Sequence, residues 1–241
     1  MLVVIGWTGL VFAEPPSIPF KTGEKLVFEL RWTFIPAGEA VMEIKPHATV
    51  NGTKAWHFVL TAKSNSFVDA FYKVRDRIDA YTDATMSHSV FYKKKQLEGD
   101  THRDIVVNFD LQRKTAQYTN FGKKQKPVDI MPGTFDPLSA FYFIRGLDMA
   151  NGSAIERPIT DGKKCIIGRL KVVKRENIKV KSGTYDTWLI EPELKHVGGV
   201  FEKSKNAKLQ LWVTADSRRI PVKIKSRVVV GSFVGELVSR S

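Results

Sequence analysis

Strand-length runs of alternating apolar and polar residues follow one another along almost the whole chain, each closed off by a turn signal. Alternation with period two marks strands buried on one face. One stretch breaks the pattern, Met131-Pro-Gly-Thr-Phe-Asp-Pro-Leu-Ser-Ala-Phe-Tyr-Phe-Ile-Arg-Gly146. Asp136 is a good N-cap, because its carboxylate can accept from the free amides of a first turn. Pro137 then takes the position where a missing N–H costs nothing. Leu138, Phe141, Tyr142 and Arg145 recur at helical spacing, and Ala140, Phe143 and Ile144 widen the apolar face until it nearly surrounds the helix. Gly146 is placed to end it. A helix this short and this apolar has to be buried, and the strands must be what buries it.

Those strands are expected at 25–32, 39–45, 48–50 and 55–62, with Ile35-Pro-Ala-Gly38 as a turn and Asn51-Gly52 as a tight hairpin. Others follow at 74–81, 89–97, 102–109 and 115–118. Beyond the helix they lie at 155–159, 164–173, 177–180, 185–191, 209–214, 222–230 and 233–238. Residues 66–72 are ambiguous, one helical turn at most. Residues 196–207, with Gly198-Gly199 and several lysines, are the expected mobile loop. Roughly a dozen antiparallel strands in one sheet tend to curl or close. The expected fold is therefore mainly β: a strongly curved antiparallel sheet or incompletely closed barrel, with one buried helix at about 136–145 in its concave side.

At 241 residues the chain can bury a sizeable core, and no linker divides 14–241, so one domain is expected. The run from Leu2 to Phe12, with Val11-Phe12-Ala13 before Glu14, fits a secretory signal cleaved after Ala13. No Lys or Arg precedes it and it is short, as a start codon placed too far downstream would explain. It falls short of the roughly 20 apolar residues that span a bilayer. Export to the periplasm as a protein that does not span the membrane is the expectation. Cys165 stands alone, so there is no internal disulfide.

Several stretches together are familiar: Phe20-Lys-Thr-Gly-Glu-Lys-Leu26 with Trp32 and Pro36-Ala-Gly38, Tyr72-Lys-Val-Arg-Asp-Arg-Ile78, Gly133-Thr-Phe-Asp-Pro-Leu-Ser-Ala140 and Asp161-Gly-Lys163. Near the end stand Gly183-Thr-Tyr-Asp186 and Leu211-Trp-Val-Thr-Ala-Asp216 with Arg219-Ile-Pro-Val222. In order and spacing this set resembles the DUF3108 family of exported bacterial proteins, whose function is unknown. The resemblance implies a β-rich periplasmic protein and carries over no catalytic residues.

The densest charge pattern is Tyr72 to Tyr81. On a strand, Val74, Asp76, Ile78 and Ala80 share one face and Arg75, Arg77, Asp79 and Tyr81 the other. An Asp beside Val and Ile needs a partner, which His102, Arg103 or Asp104 could supply. A structural ion-pair network is one reading; a polar ligand-orienting site of Arg75, Asp76, Arg77, His102 and Arg103 is the other. Phe141 and Tyr142 would face a ligand from the helix. Lys223, Lys225 and Arg227 form a positive stripe on one face of their strand.

The net charge of +13 favours anionic surfaces. Export removes most opportunity for nucleic acid, leaving anionic lipid, lipopolysaccharide or an acidic envelope polymer. The five histidines are dispersed and show no metal-ligand spacing, so no metal or cofactor is expected. Nucleophile-elbow, phosphate-loop and dinucleotide motifs are lacking. The leading expectation is a non-catalytic carrier for an apolar or anionic envelope ligand. An envelope scaffold acting through protein contacts ranks second, and a hydrolase built around Asp76 and His102 ranks last.

Overall fold

The computed structural model describes residues 18–193, 207–228 and 231–241. The expected signal at 1–13 and nearly all of the loop at 196–207 lie outside the described residues. The first half of the chain is an up-and-down meander: β1 (Lys25–Trp32), β2 (Ile35–Val50), β3 (Thr53–Ser64), the short helix α1 (Ser66–Asp69), β4 (Arg75–Asp83), β5 (Ser89–Glu98), β6 (Thr101–Asp110) and β7 (Thr115–Asn120). Two-residue strands β8 (Lys123–Lys124) and β9 (Val128–Asp129) both pair with β7. The helix α2 (Pro137–Arg145) comes next. A second meander follows: β10 (Ala154–Thr160), β11 (Cys165–Val180), β12 (Gly183–Pro192), β13 (Lys208–Thr214), β14 (Pro221–Val228) and β15 (Gly231–Arg240).

The two meanders are one sheet because the first strand pairs with the last. β1 and β15 run antiparallel from Leu26↔Arg240 to Trp32↔Phe233, so the sheet order is β10 through β15, then β1 through β8. The far edges, β10 and β8, are not paired with each other. The segment before α2 lies across that gap. Ser89 N donates to Thr134 O at 3.0 Å, Phe135 N to Pro158 O at 2.9 Å, and Thr160 N to Phe135 O at 2.9 Å. The expected curved, incompletely closed barrel is what forms, and one short parallel bridge, Phe135↔Ile159, ties edge strand β10 to it.

Two local readings are corrected. The β1–β2 turn is Thr33-Phe34, not 35–38. Trp32 pairs with Ile35, leaving a two-residue loop in which Thr33 has φ 56°. Pro36 is tolerated inside β2 because the register slips beside its partner Arg31. The expected pieces 164–173 and 177–180 are a single strand, β11, whose register shift between Val172 and Lys174 marks a bulge that sequence alternation reads as an interruption.

The concave face of the first meander is filled. Leu26, Phe28, Met42, Ile44, Phe58, Tyr92 and Val107 are buried there with Tyr142, Phe143 and Leu138 of α2. Phe58 and Tyr142 stack with ring centres 4.0 Å apart, and Phe20 meets Tyr142 edge-on at 5.4 Å; such aromatic pairs add to plain area burial. The Asp161-Gly162 turn packs into the same space. A Cβ on Gly162 would lie 2.7 Å from Val107 Cγ2, and its φ of +88° also favours glycine. A second cluster, Met149, Leu170, Val172, Ile190, Leu211 and Val213, packs against Phe141 and Ile144. Neighbouring residues Leu189 and Ile190 belong to different clusters, as do Leu211 and Trp212. Strands β12 and β13 are therefore buried on both faces.

Candidate functional site

The site is built outward from α2, whose two ends are fixed by buried polar groups. Asp136 is 1 % exposed. One oxygen accepts from Leu138 N and Ser139 N, both at 2.9 Å, and the other from Ser139 Oγ at 2.5 Å and Ser89 Oγ at 2.6 Å. Burial pushes its pKa up, and these four donors work against that rise. The cap expected from the sequence forms, with Ser89 of β5 as a partner that only the fold could provide.

At the other end Arg145 is equally buried. It forks onto Glu24, Nη1 to Oε1 at 2.6 Å and Nη2 to Oε2 at 2.9 Å. Its Nε donates to Arg219 O and its Nη2 to Arg218 O, each at 3.1 Å. The guanidinium also lies over the rings of Phe20 and Tyr142, at 5.2 and 5.5 Å. Phe20-Lys-Thr-Gly-Glu24 and Arg219-Ile-Pro-Val222, far apart in the chain and both among the stretches singled out above, thus converge on one side chain. A cation at a helix C-terminus is favourable in itself; here it also pins the helix to both halves of the sheet. This role was not read from the sequence, since spacing alone shows Arg145 only as one more position on the helix.

Held this way, α2 fills the concavity on one side and leaves a space on the other. A cavity of about 280 Å³ lies between α2 and strands β10–β13. Ala140, Phe141 and Ile144 form its helical wall; Ile155, Ile159, Ile166, Leu170, Leu209 and Leu211 form the sheet wall. Arg157, Lys164 and Arg169 stand at it among the charged residues, with Asp161 and Glu193. Arg157 lies 4.6 Å over the Phe143 ring, and Arg169 pairs with Glu156 at 2.7 Å. Gly168 keeps the floor open and flat: a Cβ there would sit 2.4 Å from Ile159 Cδ1. An apolar slot with cationic groups among its lining suits a molecule with a hydrocarbon body and an acidic end.

Of the residues singled out in the sequence, the structure places Phe141 in this wall and the rest elsewhere. Tyr142 faces the filled side, its hydroxyl buried with no hydrogen-bond partner among the described residues. Arg75 pairs with Asp69 at 2.5 Å and Arg77 with Asp79 at 2.7 Å. His102 and Arg103 are exposed at the start of β6. Lys223 pairs with Glu236 at 2.8 Å, while Lys225 and Arg227 are exposed further along β14.

Asp76 does face inward, but the partner expected from His102, Arg103 or Asp104 is not the one it has. It accepts from Leu97 N at 3.0 Å, has Lys94 Nζ at 3.9 Å, and lies beside the Glu98 carboxyl. Register decides this: Asp76 sits opposite the end of β5, and β6 is one strand further. Burial first, then Glu98, raises the Asp76 pKa to about 6. A carboxyl that holds its proton more tightly when folded loses stability as pH rises from its unfolded pKa near 3.8 through about 6. Asp76→Asn is expected to stabilise the protein at pH 7 by roughly 1–2 kcal/mol. Chemical denaturation of both proteins from pH 4 to 8 checks it: the variant's advantage should grow with pH across that window and vanish at the acid end.

The architecture defines an incompletely closed, barrel-like β protein with an internal helix. Comparison with family models makes the particular assignment. Residues 27–238 match the family described as protein of unknown function (DUF3108), and the chain belongs to that family. Among solved structures, the fold is similar to a beta-barrel-like protein of the DUF1849 domain family from Brucella abortus. Its TM-score is 0.59 at 11 % identity, covering 91 % of this chain and 97 % of that one. A candidate exported protein with a YmcC-like fold from Bacteroides fragilis aligns over 94 % of this chain and 99 % of its own, with a TM-score of 0.33 and 8 % identity. No curated protein matches the chain.

Proposed function

We propose that the protein is a non-catalytic carrier, exported to the cell envelope and working in the periplasm, that holds an apolar or anionic amphiphile between α2 and β10–β13. The observation that carries this reading is the cavity beside a helix pinned at both ends. A site whose walls are fixed before the ligand arrives loses little entropy on binding. An engineered cavity of about 150 Å³ lined by Leu, Ile and Phe admits benzene; this one is close to twice that size, enough for a short acyl chain or a fused ring. Arg157 and Lys164 would meet the acidic end of such a ligand. The weak signal-like leader supports export, and the net charge of +13 suits anionic envelope lipids.

Two measurements test it. Protein purified from its native host is examined by native mass spectrometry for a bound amphiphile. Binding of cis-parinaric acid, a fluorescent fatty acid, is then compared with that of Leu209→Trp, which fills the slot from its half-buried wall. The variant is expected to bind at least about tenfold more weakly, a difference of 1.4 kcal/mol, with an unchanged unfolding temperature. Equal binding by both proteins, with no ligand in the native sample, would overturn the carrier reading.

A further inference from the structure

Most of the large apolar side chains exposed among the described residues gather at one end of the barrel; Ile18 and Leu111 lie at the other end, and Ile167 lies on β11 near the β10–β11 turn. Alternate turns of an up-and-down sheet fall at the same end, which here gathers the turns after β1, β3, β5, β7 and β10 and the facing ends of β14 and β15. Backbone hydrogen bonds tie those from β14 and β15 round to β7 into a continuous rim. Thr33 N donates to Ser232 O at 2.7 Å, and Asn65 N to Ala37 O, Gly99 N to Lys73 O and Phe121 N to Asp104 O, each at 2.9 Å.

Along this rim Phe34, at the tip of the first turn, is 90 % exposed, with Trp32, Ile35 and Phe233 behind it. Phe67 of α1 and Phe71 in the turn after it, each 60 % exposed, meet edge-on at 5.6 Å. Phe121, equally exposed, tips the turn after β7. Exposed apolar surface on this scale marks an interaction site. Its charge is complementary to an anion: Arg103, Lys123 and Lys124 lie exposed at one flank and Lys225 and Arg227 at the other. Asp69, the acidic residue of α1, is tied to Arg75, leaving Glu98 and Asp100 as the acidic residues of the β5–β6 turn.

We propose that this end of the barrel docks on the surface of an anionic lipid bilayer, its aromatic side chains entering the headgroup layer and its flanking Lys and Arg meeting lipid phosphates. A bilayer fits better than a protein partner because the exposed aromatics come from several separate turns and are flanked on both sides by exposed cations. A fluid layer moulds around such points, and aromatic side chains settle at its interface. Each nearby Lys or Arg adds to the attraction toward an anionic leaflet. None of these residues lines the cavity, so this docking stands or falls apart from the carrier reading.

The test is vesicle flotation of the purified protein with phosphatidylethanolamine–phosphatidylglycerol vesicles and, separately, with phosphatidylcholine vesicles. The triple variant Phe34→Ser, Phe67→Ser, Phe121→Asn removes three tips; asparagine suits the φ of 46° at position 121. Leu111→Ser, at the opposite end, is the control. Wild type and Leu111→Ser should float with the anionic vesicles and lose binding at high salt. The triple variant should bind at least about tenfold more weakly while its circular dichroism and unfolding temperature stay those of the wild type. The apolar run at residues 2–12 is common to all three proteins, so it cannot produce the difference. Equal flotation of wild type and triple variant would overturn the proposal. So would failure of the wild type to float while the rim variant alone lost a cross-linked protein partner.

Discussion

Arg145→Met is expected to destabilise the protein by about 3–5 kcal/mol, the range found when one partner of a buried ion pair is removed. The methionine keeps most of the packing against Phe20 and Tyr142. It leaves Glu24 without its fork and the carbonyls of Arg218 and Arg219 without a donor. The double variant Arg145→Met, Glu24→Leu separates these contributions, because it removes both charges and should recover part of the loss. Urea denaturation of the wild type, both singles and the double closes the cycle. If Arg145→Met unfolds at the wild-type midpoint, the guanidinium does not fasten the helix.

The second large effect is at the other end of α2. Asp136→Ala should cost about 2–4 kcal/mol, since it removes a cap and leaves buried donors unsatisfied. Asp136→Asn should cost much less, because its carbonyl oxygen can still accept from Leu138 N and Ser139 N while its amide donates to the serine hydroxyls. Pro137, Ala140 and Phe141 are walls of the cavity, so Asp136→Ala should also weaken parinarate binding in a buffer where it is still folded. Thermal unfolding and parinarate titration of the two variants check both outcomes. An Asn variant as damaged as the Ala variant would point to a need for the charge itself.

How much of this was legible beforehand follows from the range of each interaction. The Asp136 cap onto Leu138 and Ser139 and the proline start depend on residues within one turn, so the sequence carries them, but not the added contact from Ser89. Alternation placed most strands, yet it failed at the β11 bulge, where one extra residue resets the phase, and at Ile35–Gly38, where Pro and Gly suggest a turn that the Trp32↔Ile35 register forbids. Asp76 was recognisable as an inward carboxyl from its neighbours Val74 and Ile78. Its partners were not, because they depend on which residue of β5 lies opposite. The cavity was beyond reach for the same reason. Its walls come from the helix and four strands. Helical spacing could offer the helical wall, Ala140, Phe141, Phe143 and Ile144, but not the strand residues that face it. Arg145 is the clearest case, a buried charge whose counter-ion lies 121 residues away.

The pairing of β1 with β15 has a consequence for how the molecule comes into being. The sheet's central seam joins the first strand to the last, so its ladder from Leu26↔Arg240 to Trp32↔Phe233 cannot form until the whole chain is available. Each meander can assemble from near neighbours, but joining them carries the entropy of closing nearly the full length of chain, the kind of step that makes β proteins slow. Until that step the inner edges of both meanders are open for pairing, the condition under which strands associate with the wrong partner. β1 and β15 act as the clasp of this sheet, and the arrival of β15 decides when the barrel exists.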